Sequence, residues 1–190
     1  MSSTGVPIKL QSRTAPCRGV TAWHSESALL VCSFEYSADP SPAPGTAAER
    51  IDAVLGISST PPRVLLGDVE LTWRDESRLH SIELRTGRGQ WAPSSLRVPG
   101  ESAEKSSMTF ELAYDVNRIA SIDVDVHVLW DATKACIALR FGDDEPENGR
   151  WVAIADKVFA CVGARQTLIE FRFADVRIVT EKPSSLGPSA

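Results

Sequence analysis

The sequence predicts a mainly β protein: antiparallel meanders in two pseudo-two-fold related copies, with one short helix near residues 47–55. Three observations predict it. Apolar residues recur at every second position in short runs, as in Leu30, Cys32 and Phe34, the period of a half-buried strand. Polar or breaker-rich turns bound those runs, among them His24-Ser-Glu-Ser27 and Gly142-Asp-Asp-Glu-Pro-Glu-Asn-Gly149, as expected between strands. Finally, one stretch occurs twice without a gap. Val20 to Phe34 lines up on His127 to Phe141, so that Trp23 meets Trp130, Ala28 meets Ala135 and Phe34 meets Phe141. A repeat of this kind governs the architecture and is read before anything else.

Taken in order, the first residues are rich in Ser, Thr, Pro and Gly, and Val6 to Leu10 suits an edge strand, where Pro7 is tolerated. Strands are expected at Val20 to Trp23 and Ala28 to Tyr36. The breaker-rich Asp39 to Gly45 follows. Thr46-Ala-Ala-Glu49 matches a capping box ahead of Ile51, Val54 and Leu55 at helical spacing. Further strands are expected at Arg63 to Leu66, Val69 to Trp73 and Leu79 to Thr86. Gly87 to Lys105 reads as a connector between the copies. Ser107 to Tyr114, Ile119 to Trp130 with a bend near Asp125, Lys134 to Phe141, Trp151 to Ala155, Val158 to Val162 and Thr167 to Val179 complete the set. The copies span about 18–91 and 107–180 of one domain covering 1–190, with 182–190 a tail.

The second halves of the copies match more loosely. Val64 to Trp73 resembles Val152 to Cys161, and Ile82-Glu83-Leu84 falls on Ile169-Glu170-Phe171. With these residues in place, each half resembles a family of very small bacterial β-meander domains of uncharacterised function. In that family an aromatic-Asp turn leads to an Ala-x-apolar-apolar strand, and a later strand ends in apolar-Glu-apolar. Trp130-Asp131, Ala135 to Leu139, Val158 to Val162 and Ile169 to Phe171 carry the likeness. Trp23, Ala28 to Val31, Val69 to Trp73 and Ile82 to Leu84 repeat it, with His24 in the place of the turn Asp. Genes of the family often stand beside toxin genes, so the resemblance implies an antitoxin-like or immunity-type role.

Composition narrows the chemistry. The chain has 190 residues and a net charge of −5. That balance opposes nonspecific nucleic-acid binding, which needs a basic stripe, and fits a basic protein partner. No apolar run reaches the roughly 20 residues of a membrane helix, and Met1-Ser-Ser-Thr-Gly5 does not read as a secretory signal. The expected setting is cytoplasmic. Cys17, Cys32, Cys136 and Cys161 form no Cys-x-x-Cys pair and read as buried thiols.

No catalytic residue is assigned, no cofactor and no metal site. His24, His80 and His127 lack a metal-ligand spacing, and there is no phosphate loop or nucleophile elbow. The candidate partner-binding residues are Asp143, Asp144, Glu145 and Glu147, four carboxylates within five positions. The expectation is a non-enzymatic cytosolic binding protein that covers a basic partner. The alternatives are a small enzyme with an unrecognised site and a structural assembly subunit.

Overall fold

The computed structural model describes residues 6–13, 17–37, 62–74, 78–100, 103–110, 112–115 and 118–180. Within them the chain is mainly β. The first strands are β1 (Val6–Ser12), β2 (Cys17–His24), β3 (Leu29–Tyr36), β4 (Arg63–Leu66), β5 (Val69–Trp73) and β6 (Leu79–Arg85). Then come β7 (Ala92–Pro93), β8 (Glu104–Phe110), β9 (Ile119–Ile122), β10 (Val126–Asp131) and β11 (Cys136–Phe141). The last are β12 (Arg150–Ala155), β13 (Val158–Val162), β14 (Thr167–Phe173) and β15 (Arg177–Val179).

They form two sheets. The seven-stranded sheet runs β15-β2-β3-β6-β5-β4-β9, and the eight-stranded sheet runs β1-β8-β12-β13-β14-β11-β10-β7. In one sheet the neighbours run β4-β5-β6-β3-β2; in the other they run β12-β13-β14-β11-β10. Each chain segment thus makes a hairpin, crosses over, and returns as a three-strand meander whose last strand pairs with the hairpin. The two hairpins share their register. Trp23 pairs with Leu30 and Trp130 with Ile137, while Ala28 and Ala135 both take a positive φ, 50° and 46°, in the turn.

Sheet margins depart from the expected antiparallel meanders. β15 lies parallel on β2, β9 on β4, β12 on β8 and β10 on β7. The stretch read as a connector, 87–105, therefore holds a 3-10 turn at Arg88–Gln90 and a short strand that crosses to the other half's hairpin. β15 makes the reciprocal crossing, leaving the second half to pair with β2. The run expected to be continuous from Thr167 to Val179 is broken between β14 and β15. β1 is not a simple edge strand. Val6 and Pro7 pair with β14, and Ile8 to Ser12 pair with β8. The ladder β1-β8-β12-β13-β14 so returns on itself as a ring, which removes edges that would otherwise invite pairing. The expected helix at 47–55 and the tail at 182–190 lie outside the described residues.

One cluster of buried apolar side chains runs through both sheets, joining Leu71 and Ile82 to Leu139 and Phe171. β13 is buried at all five positions, so Val158-Phe-Ala-Cys-Val162 shows no alternation, as expected for a strand covered on both faces. Trp91 stands between the two hairpins, its ring 5.0 Å from Trp23 and 5.6 Å from Trp130. Trp23 and Phe141 are buried, whereas Trp130 is only partly buried.

Candidate functional site

Residues opposite one another across an antiparallel pair share a face. Leu139 and Phe171 point into the common core, so their strand neighbours face the other way. Register places Trp151, Cys161, Glu170, Arg140 and His127 in one row across β12, β13, β14, β11 and β10. Phe159, Arg172, Ala138 and Leu129 form the next row. The outer face of the eight-stranded sheet therefore carries three charged groups at its middle.

Glu170 is fully buried. Arg140 Nε donates to one of its carboxylate oxygens at 3.2 Å. Arg172 holds the other, through Nε at 2.8 Å and through a second guanidinium nitrogen. Arg172 also donates to the carbonyl oxygen of Arg97 and stacks 4.3 Å from the Trp151 ring centre. A buried charge is tolerated only when paired and hydrogen-bonded in this way.

Residues 94–100 cross this face. Leu96 is buried against Cys136 and Ala138. Its N–H donates to Asp131 Oδ2 at 3.0 Å, and its carbonyl accepts from Lys134 Nζ at 2.6 Å. Asp131 Oδ1 accepts from the Thr133 hydroxyl at 2.6 Å and the Thr133 N–H at 3.0 Å. These bonds, the Thr133 hydroxyl first and the Leu96 N–H next, hold the Asp131 carboxyl well below the usual carboxylate range.

On the other side stands the acidic loop, with a 3-10 turn at Pro146–Asn148. A Cβ at Gly149 would lie 2.2 Å from Cys161 Sγ, so the loop's exit approaches the sheet as only glycine allows. The Cys161 thiol donates to the Pro146 carbonyl at 3.5 Å. Of the four predicted residues, Glu145 pairs with Arg140 Nη1 at 3.0 Å. All four, Asp143, Asp144, Glu145 and Glu147, are exposed. Between loop 142–149 and segment 94–100 lies a cleft of about 780 Å³, with Arg140, Arg172 and Trp151 on its floor and Glu145 and Glu147 on its rim. Asp143 lies across the loop on a second cleft of about 440 Å³, with Asp68, Arg85 and His127.

Sequence reasoning singled out the rim and passed over the floor. In the sequence Glu170 reads as part of an apolar-Glu-apolar strand motif. The signal was Ile169-Glu-Phe-Arg-Phe173, two opposite charges on one face of a strand otherwise apolar. The thiols offer no activated nucleophile. Burial pushes Cys136 and Cys161 up to about 11 and Cys32 up to about 12. Among the described residues, no three His, Cys, Asp or Glu side chains gather in a metal-holding group, and no helix is long and apolar enough to cross a membrane. No protein-family model matches the chain, and no curated protein matches it significantly.

Proposed function

We propose that this is a non-enzymatic binding protein that meets a basic protein partner on loop 142–149, in the manner of an antitoxin or immunity protein. Its segments 18–91 and 107–180 are then divergent, pseudo-two-fold related copies of the small β-meander domain they resemble. The matching strand orders of the two sheets support that descent. Four free, buried thiols fit a reducing, cytoplasmic setting.

One observation carries the binding reading: the acidic loop is mounted. Glu145 is tied through Arg140 to the buried Glu170, and Gly149 brings the loop's end against Cys161. Asp143, Asp144 and Glu147 are thus displayed from a fixed base, so a partner meets three carboxylates without first ordering the loop. Charges at such a rim act mostly on association rate, over a screening length of about 8 Å at physiological salt.

The test replaces Asp143, Asp144, Glu145 and Glu147 with Ser or Asn. Affinity capture from the source organism with both proteins identifies basic partners that only the parent retains. Association rates are then measured with the captured partner at several salt concentrations. The variant is expected to associate more slowly, with a flatter salt dependence, and to melt near the parent temperature. Equal rates for the two proteins remove the loop from the interface.

A further inference from the structure

We infer that the cleft between residues 94–100 and loop 142–149 binds a small organic anion, a carboxylate or phosphate monoester, on Arg140, and that Glu145 is a built-in competitor occupying the anion's place. This inference goes beyond the binding of a basic partner, and uses the Arg140–Glu145 pair rather than Asp143, Asp144 and Glu147.

Glu170 is the starting point. A fully buried carboxylate between two arginines is costly to desolvate, and an apolar triad of equal volume would hold the sheet as well or better. What the ionic triad supplies is orientation. Glu170 fixes Arg140 by its Nε and Arg172 by two nitrogens, and so sets guanidinium groups at the floor of an open cleft. A fixed guanidinium fork matches a two-oxygen anionic head. Arg172 is nearly spent on Glu170, the Arg97 carbonyl and the Trp151 ring. Arg140 is not. Among the described residues its outer end meets Glu145, whose side chain is 63% exposed, and such half-solvated pairs are weak. A free carboxylate or phosphate can take the same position. Trp151 beside it gives an organic group an apolar wall, and the cleft's size lies within the roughly 300–1,000 Å³ of small-molecule sites.

Inorganic phosphate and benzoate serve as probes, titrated calorimetrically into the whole protein. Each should bind saturably, with a Kd on the order of 0.1–1 mM for ligands so small. Phosphate binding alone identifies a phosphate site, and benzoate binding alone a carboxylate site. Glu145→Gln should tighten binding about two- to fivefold, the equivalent of one weak ion pair, whereas Arg140→Gln should abolish it. Should Arg140→Gln unfold the sheet by stranding Glu170, Arg140→Lys keeps the charge without the fork and is expected to weaken binding at least about fivefold. Absence of saturable binding of both probes to the parent overturns the inference. So does a Glu145→Gln variant that binds no more tightly than the parent. Capture of a basic partner by the parent protein is a separate readout: it can persist when neither probe binds, because Asp143, Asp144 and Glu147 are exposed whether or not the cleft takes an anion.

Discussion

The outer faces of the two sheets sit on matching strand orders and solve the same problem differently. On the seven-stranded sheet, Thr72, Ser81 and Ser33 share a row across β5, β6 and β3. On the eight-stranded sheet, the row at the corresponding place in the strand order is Cys161, Glu170 and Arg140. Hydroxyls close the first row cheaply: Thr72 Oγ1 and Ser81 Oγ lie 2.5 Å apart, and Ser81 donates to Glu83 at 3.1 Å. The second row buries a full charge and needs two arginines and a crossing segment to do so. The difference teaches that a strand scaffold does not dictate its outward chemistry. Inward positions keep the same apolar character on both sides, while outward ones are free to diverge into a site.

That contrast can be broken at its centre. Arg172→Ala leaves Glu170 buried with one partner and is expected to cost about 3–5 kcal/mol in denaturant unfolding. Ser81→Ala, on the hydroxyl row, removes neutral hydrogen bonds and should cost only about 1 kcal/mol. Comparable losses for the two would mean that Glu170 relaxes toward water and the faces are energetically alike.

The paired tryptophans sharpen it next. Trp23 is buried and donates to the Thr86 carbonyl at 3.3 Å, whereas Trp130 keeps part of its surface in solvent. Trp23→Ala is expected to cost about 3–5 kcal/mol, the range of a large core truncation, and Trp130→Ala visibly less. A larger loss at Trp130 would place the greater packing load on the second hairpin.

The smallest effect is the pH dependence of the segment over the eight-stranded face. Asp131 is held below its ordinary range by Thr133 and the Leu96 N–H. A depressed folded value adds stability above the unfolded carboxylate value of about 4 and loses it as pH falls through the folded value. Asp131→Asn should therefore melt lower than the parent at neutral pH, and the gap should close progressively below about pH 4. A gap of constant size down to strongly acid pH would assign the effect to lost packing rather than to the charge.

Much of the fold was legible because the hairpins repeat without a gap, and their register followed from Trp23 and Trp130. The later strands were legible only in part. The apolar-Glu-apolar pattern sets Ile82 against Ile169. Pairing places Ile82 opposite Cys32 and Phe171 opposite Leu139, so Ile82 takes the place of Phe171, two residues on. A pattern of period two matches itself after every slip of two, and sequence alone cannot choose between registers. β7 was hidden because two residues carry no periodicity, and the break that makes Arg177–Val179 a separate strand lies inside a run that reads as continuous from Thr167. The site's floor was hidden because Arg140 and Glu170 meet only through the pairing of β11 with β14, whereas the acidic rim is contiguous in sequence.

The reciprocal crossing of β7 and β15 has a consequence for biosynthesis. β2 and β3 can form a hairpin as soon as they are made, but Arg177 to Val179, which pair with the outer edge of β2 at Ala22 to His24, come much later in the chain. At translation rates of about 5–20 residues per second, the chain between them takes roughly 10–30 s to emerge. For that interval the nascent protein carries an open strand edge. Arg18 and Glu26 flank that edge along the chain, and charge beside an open edge opposes its pairing with another chain.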